Sequence, residues 1–346
     1  MKSEESKLQE NSGLSVLMLF HARPDHFAQV WAEVRKARPE RLFLYQDGPR
    51  HGTNDMEGIM ACRQLVADDQ IDWPCDVHRL YQERNYGCDP SGYMSQQWAF
   101  SQTDRCIVLE DDVVPSQTFF TFCREMLDRY ADDPRITMIA GFNTDEQTTD
   151  TTNSYFFTRV FSIWGWASWS RVILNRDGNY GFVHDPRQFD LLCRKVKHYR
   201  QRVDMPRMCQ DHAASGRQYF ESITWAYMLL NDGLAIMPRV NMINNIGFTC
   251  GTHYSAQLDL MPRRLRRQFT MPRHDLTFPL HHPATVAEHP AYQERFYLMN
   301  AWNHPWRKVQ YSLEELWLNL RRGNFGNIEQ GIINRIKKLL RLKKYA

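Results

Sequence analysis

The chain has 346 residues, 42% of them hydrophobic and 24% charged, with a formal net charge of +3. That length and apolar content suit one large globular domain with a smaller appended part, and so small a net charge excludes the wholesale basicity of a nucleic-acid-coating protein. Eight cysteines (Cys62, Cys75, Cys88, Cys106, Cys123, Cys193, Cys209, Cys250) stand singly, with no Cys-x-x-Cys pair of the kind structural zinc uses.

Scattered thiols fit a reducing cytoplasm. Residues 1–13 are polar and carry acids, so they read as a disordered tail without the basic start and apolar run of a secretory signal. No later segment reaches the roughly 20 apolar residues that span a bilayer. The expectation is a cytoplasmic protein.

In chain order, Leu14 to Phe20 is an apolar run of strand length, followed by the turn residues of "HARPDHF". "AQVWAEVRKA" has helical spacing, and Leu42 to Tyr45 is a second buried strand ending at Asp-Gly-Pro. "MEGIMACRQLVADD" reads as helix, "CDVHRLYQ" as strand, "GYMSQQWAFSQ" as helix and "RCIVLE" as strand. This alternation predicts an α/β fold with a mostly parallel central sheet and crossover helices. Past Pro115, "TFFTFCREMLDRY" predicts a helix and "ITMIAGF" a strand; residues 143–162 are rich in Thr, Asn and aromatics, and "SIWGWASWSR" concentrates tryptophan around Gly165. Residues 204–216 read as a polar loop, "FESITWAYMLLNDG" as a helix closed by glycine, and "LAIMPRVNMINNIGF" as extended chain.

One stretch stands out. In "RCIVLEDDVVPSQTFF" an apolar strand runs into three adjacent carboxylates, Glu110, Asp111 and Asp112, and returns at once to Val113, Val114 and Pro115. Ligands of open parallel sheets bind outside the carboxyl ends of the strands, which is where the three acids fall. Adjacent like charges raise one another's pKa unless a cation or donors offset them. A hard divalent cation, Mn2+ or Mg2+, that also bridges phosphate oxygens is the simplest offset; the alternative is a solvated acidic turn.

"VLEDDVVPSQTFF" resembles the DxD-type metal motif of GT-A glycosyltransferases, in the "EDD" form of N-acetylglucosaminyltransferase I, its protein O-mannose relatives and bacterial hemolytic-protein-like nucleotide-sugar transferases. Further pieces resemble that family in its order: "VLMLFHARPDHF" and "FLYQDGP" its first two strands, "RNYGCDPSGYMSQQWAF" its donor-contacting loop and helix. "FFTRVFSIWGWASWSR" is similar to its acceptor-side segment, and "PRVNMINNIGFTCGTHYS" and "FPLHHP" to its C-terminal pieces. The resemblance implies a GT-A (Rossmann-like, nucleotide-diphospho-sugar transferase) domain over 14–285, with a donor-binding half at 14–115, an acceptor half at 116–285 and a helical extension at 286–346. It implies an inverting, metal-dependent transfer from a UDP-linked sugar to a glycan or lipid-linked acceptor, as in surface polysaccharide synthesis.

By the same resemblance Asp112 coordinates the metal, Asp111 faces the donor ribose and Glu110 supports the nucleotide pocket. Arg23 and Asp47 are nucleotide contacts or plain turn residues, and Asn85 and Gly87 either bring backbone N–H groups to the donor or simply enter a helix. His253 lies near the diphosphate, on metal or on phosphate. Trp164, Gly165 and Trp166 form an acceptor wall or pack in the core. Inverting transfer also needs a base for the acceptor hydroxyl. In "QYFESITWAY" Glu221 is the sole carboxylate, but alignment on Trp225 puts the family's acid slot at Ser222; Glu221, Asp211 and a degenerate, inactive site remain open.

The segment "NIEQGIINRIKKLLRLKKYA" sets Ile328, Ile332, Ile336, Leu339 and Leu340 on one helical face with six lysines and arginines around it, which suits an anionic membrane surface or a solvated basic face. "PRRLRRQF" adds a second basic cluster. Neither interleaves the aromatics of a nucleic-acid platform, so no nucleic-acid partner is expected. A sugar-phosphate nucleotidyltransferase is the competing enzyme class; it would carry a glycine-rich loop after the first strand, which "HARPDHF" is not. A non-catalytic nucleotide- or glycan-binding module is the other competitor.

Overall fold

The computed structural model describes residues 13–202, 204–247 and 258–343. Four strands, β1 (Ser15–Phe20), β2 (Arg41–Gln46), β3 (Asp76–Tyr81) and β4 (Arg105–Glu110), alternate with helices α1 (Pro24–Ala37), α2 (Asp55–Leu65) and α3 (Cys88–Phe100). The apolar runs of β1, β2 and β4 are buried along nearly their whole length, as parallel strands covered on both faces must be. In α1 the proline sits in the first turn, where its missing N–H costs nothing, and Phe27, Val30, Trp31 and Val34 bury one stripe at helical spacing.

The chain continues through β5 (Val113–Pro115), α4 (Gln117–Arg129), β6 (Ile136–Ala140), β7 (Tyr155–Thr158), β8 (Trp166–Trp169), β9 (Leu234–Pro238) and β10 (Ile243–Asn245). The eight-stranded sheet has the order β3-β2-β1-β4-β8-β6-β9-β7. β8 runs antiparallel between β4 and β6, and β7 antiparallel on the edge beside β9; the other neighbours pair in parallel. This is the mostly parallel α/β architecture that the alternation predicts. Because β2 and β3 lie on one side of β1 and β4 on the other, the strand order reverses between β1 and β4. That is the switch point at which such sheets open a crevice for ligand.

The return to apolar residues after the three acids now has its reason. Val113–Pro115 leaves the main sheet and pairs antiparallel with Ile243–Asn245 in a separate ribbon, so the carboxylates occupy the corner between two strands.

One local expectation is revised, and two stretches without an expected element take up strands. Residues 204–216, expected as loop, hold the helix α6 (Met205–Ser215), following α5 (Pro186–His198). Its apolar stripe is narrow, with Met205 and Cys209 buried, and Pro206 and Gly216 (φ 68°) mark its ends. The tryptophan-rich segment forms β8, a central strand whose Trp166, Ala167, Ser168 and Trp169 are all buried. The aromatic stretch 143–162 contains the edge strand β7. The helix expected over 220–233 is α7 (Phe220–Leu230).

Beyond the basic helix α8 (Arg263–Thr270), α9 (Pro290–Met299) packs Tyr292, Phe296 and Tyr297 against Phe156, Val160 and Met237, so it belongs to the body of the molecule. α10 (Pro305–Arg321) and α11 (Phe325–Lys343) form a hairpin around Gly323 (φ 68°). Among the described residues no helix is long and apolar enough to cross a membrane. His253 falls in 248–257, outside the described residues.

Candidate active site

Arg23, in the loop after β1, reaches across the switch point to the acids after β4. Its guanidinium pairs with both oxygens of Asp111, and its Nη2 donates to Asp112 Oδ2 at 3.0 Å. The backbone N–H of His21 adds a 3.4 Å bond to Asp111 Oδ2. Asp111 is 4% exposed and Asp112 8% exposed. Burial alone would weaken the charge on Arg23, but Asp111 and then Asp112 outweigh it and raise its pKa. Asp111 is pushed up by burial despite Arg23. Glu110 is pushed well above the usual carboxylate range, first by burial, then by repulsion from Asp112, Glu221 and Asp111. The site therefore holds more negative charge than Arg23 offsets.

Does this set fit a divalent cation? Among the described residues no three His, Cys, Asp or Glu side chains converge as metal ligands. One atom does fit. Asp112 Oδ1 is buried with no hydrogen-bond partner, and a buried carboxylate oxygen left unpaired is costly. A cation held by one or two carboxylates plus substrate phosphates asks for that kind of ligand. The carboxylate is confined by Gly247, where any Cβ would overlap Asp112 Oδ2. The ribbon holds this corner in register, since Ile246 N–H donates to the Asp112 carbonyl at 2.8 Å.

Asp47, Asn85 and Gly87 are also brought together, but they are bonded to one another. The Asp47 carboxylate accepts from the backbone N–H groups of Gly48, Tyr86 and Gly87 at 2.9 to 3.0 Å and from Asn85 Nδ2 at 2.9 Å. Gly87 is left-handed (φ 88°), the conformation glycine adopts without penalty. Its N–H is thus committed to Asp47 and is not free for a donor phosphate. In this arrangement Asp47 organises the loop that leads into α3.

The far wall comes from α7. Gly92 on α3 lies so close to Phe220 that a Cβ there would sit 2.7 Å from the ring, and this approach brings the first turns of α3 and α7 side by side. Buried Arg176 straps the two helices, donating to Gln96 Oε1 at 2.7 Å and to Thr224 Oγ1 at 2.6 Å. Glu221 consequently comes within electrostatic reach of Glu110 and Asp89. Burial, with a further contribution from Asp89, raises its pKa to about 7. The thiol of Cys88 borders the same group and is pushed up by desolvation among the surrounding residues and then by Glu110, Asp89, Glu221 and Asp111.

Ser222, where the sequence resemblance puts an acid, points the other way. Its hydroxyl is buried and bonded to His212 Nδ1 and Tyr180 Oη, both at 2.9 Å. Asp211 lies exposed on α6. The neighbouring His212 turns inward, stacked on Tyr219 at 3.8 Å and lowered in pKa by burial against the pull of Asp89 and Asp211. Sequence reasoning missed Cys88, Asp89 and His212. The signal for the first two was their place at the start of a helix after a strand end; nothing local marked His212.

On the acceptor side the tryptophans divide. Trp166 is 1% exposed inside β8 and cannot wall a cleft; core packing is its role. Gly165 (φ 63°) lets Ile243 pack against the backbone, and its carbonyl accepts from Gly141 N–H at 2.8 Å. Trp164 stays half-buried, edge-on to Phe142 at 4.7 Å and beside Phe269 at 5.1 Å.

No protein-family model matches the chain, and no curated protein matches it in sequence. Among solved structures it is similar to an apo UDP-glucose pyrophosphorylase, with a TM-score of 0.34 and 9% identity over 68% of this chain and 94% of that one. It is also similar to 4-diphosphocytidyl-2C-methyl-D-erythritol synthase from Anaerococcus prevotii, with a TM-score of 0.28 and 8% identity over 46% and 72%. A UDP-glucose pyrophosphorylase complexed with UDP-glucose aligns with a TM-score of 0.25 and 11% identity over 43% of this chain and 64% of that one.

Proposed function

We propose that this chain is an enzyme acting on a nucleotide sugar, and that it transfers the sugar to an acceptor hydroxyl with inversion. The observation that carries this reading is Glu221, a carboxyl with a pKa of about 7, within electrostatic reach of Glu110 at the crevice where Asp112 keeps an unpaired oxygen. A carboxylate with a raised pKa is a stronger base than an ordinary one and is still half ionised near neutrality, which suits removal of a proton from an attacking hydroxyl.

In this mechanism Asp112 Oδ1, the unpaired carboxylate oxygen, would hold a divalent cation, which when bound would supply Lewis-acid neutralisation of the leaving diphosphate. Arg23 contributes positive charge from the β1 loop. Asp47 fixes the loop 84–87 and the entry to α3, and so shapes the donor side. Trp164 offers a ring face to the acceptor sugar. Glu221 takes the acceptor proton, with Arg176 holding its helix against α3.

The second reading is a sugar-phosphate nucleotidyltransferase. Arg23 favours it, since a guanidinium directly after the first strand is placed to hold phosphates. Against it, the loop "HARP" lacks glycine, and an ionised sugar phosphate needs no carboxylate base to attack. The two readings differ in their products. Incubation with UDP-sugars and Mn2+ plus glycan acceptors should release UDP; incubation with UTP and sugar 1-phosphates should release no pyrophosphate. Pyrophosphate release without UDP release would replace the first reading by the second.

A further inference from the structure

We propose that the α10–α11 hairpin is a docking element that seats its outward apolar face in an anionic lipid surface. Trp306, Val309, Leu313, Leu316, Trp317 and Leu320 recur at helical spacing and, at 100° per residue, fall within an arc of about 100°. These side chains are between 39% and 80% exposed, Trp306 the most. The opposite face of α10 is the one that meets the body: Tyr311 and Asn319 are buried there, and Tyr311 Oη donates to the Met299 carbonyl at 2.8 Å. An ordinary surface helix turns its apolar stripe inward. Here it is turned outward, and the adjoining α11 also carries exposed Phe325, Ile332 and Ile336.

Charge decides between the possible occupants. Residues 305–346 contain ten lysines and arginines against three glutamates, whereas the rest of the chain carries 33 basic and 37 acidic residues. The basic helix α8 adjoins the same element, with exposed Arg263 and Arg264 and the Arg263 N–H donating to Glu314 Oε1 at 2.8 Å. A second copy seated on this face would bring two such excesses of positive charge together. An anionic bilayer attracts the hairpin and repels the body, which also fixes the orientation of the molecule on the surface. Exposed Trp306 and Trp317 supply indoles of the kind that settle at the headgroup level, and Arg321 lies over the Trp317 ring at 5.4 Å. Since no described helix can cross a bilayer, the hairpin lies on it. None of this depends on which reaction the crevice performs.

The test is co-sedimentation of the full chain with vesicles of phosphatidylcholine alone and of phosphatidylcholine mixed with phosphatidylglycerol, at low and high salt. Binding to the anionic vesicles is expected, with little to the neutral ones and a steep loss with salt. The triple change Trp306→Gln, Leu313→Gln, Trp317→Gln and, separately, the triple change Lys337→Glu, Lys338→Glu, Arg341→Glu should each weaken partition by about tenfold or more. Both variants should keep the melting temperature, and the single change Trp306→Gln, at the most exposed site, should give a smaller loss in the same direction. No partition onto anionic vesicles overturns the proposal, as does partition unchanged by the apolar triple. A dimer in light scattering that the apolar triple dissociates would assign the face to a second copy and overturn it equally.

Discussion

Gly247 lies against Asp112 so closely that any Cβ on it would overlap the Oδ2 atom of the carboxylate. The glycine thereby sets where Asp112 can point. Gly247→Ala should swing the carboxylate away from the crevice and weaken Mn2+-dependent nucleotide-sugar binding by about tenfold or more while the protein stays folded, because misplacing a metal ligand costs affinity of that order. Calorimetric titration of a UDP-sugar with and without Mn2+ reads this directly. Asp112→Asn should match it in the presence of metal. Affinity unchanged in both variants would remove Asp112 from the cation site.

Arg23 offsets Asp111 and Asp112 together, so Arg23→Ala leaves two buried carboxylates without their cation. Removal of one partner from a buried ion pair destabilises strongly, and about 3 kcal/mol is expected here. The loss should be partly restored by millimolar Mn2+, since a divalent ion replaces the missing charge, and by nothing comparable in wild type. Thermal unfolding of both proteins with and without Mn2+ checks it. An Arg23→Ala protein as stable as wild type in metal-free buffer would show that the acids are solvated enough to stand alone.

The parallel half of the sheet was legible because strands covered on both faces must be nearly continuously apolar, as Val16 to Phe20 and Leu42 to Tyr45 are. The acids were legible for the related reason that an abrupt switch from apolar to charged marks a strand end. What the sequence hid was tertiary. That Asp47 bonds three backbone N–H groups depends on the loop 84–87 folding back to it, across about forty residues. That Glu221 comes within electrostatic reach of Glu110 depends on Gly92 admitting Phe220, a contact between helices far apart in the chain. The tryptophan segment left two readings open because aromatic density has the same local signature in a sugar-binding wall and in a core strand. α6 was missed because three buried residues in eleven, Met205, Pro206 and Cys209, leave almost no periodic signal.

The division between Trp164 and Trp166 gives paired expectations. Trp166→Ala empties a fully buried site in a central strand and should cost about 3–5 kcal/mol of stability. Trp164→Ala removes a half-buried ring and should cost less than half of that, with its main effect a raised KM for the acceptor and an unchanged KM for the donor. Denaturant unfolding and steady-state kinetics on the two variants separate the roles. A Trp164→Ala enzyme with wild-type acceptor KM would take that ring out of the acceptor site.

Glu221 links the proposed chemistry to stability through pH. Its pKa of about 7 in the folded chain lies above the ordinary 4.5, so between those values the folded protein holds a proton that the unfolded chain has released. Folding stability should therefore fall as pH rises through this window and level off above it. Glu221→Gln removes that dependence, and relative to wild type the variant should gain up to ~2 kcal/mol above pH 7 and little near pH 4.5, a figure reduced for the partial exposure of the carboxyl. Activity should move the other way. Wild-type kcat/KM should rise with pH through about 7, as the base ionises, and Glu221→Gln should retain donor affinity and lose transfer at every pH. Melting curves and rates collected on one pH series test both statements together. A gain in stability without loss of turnover would leave Glu221 as a strained first-turn acid and make Asp211→Asn the next variant to assay.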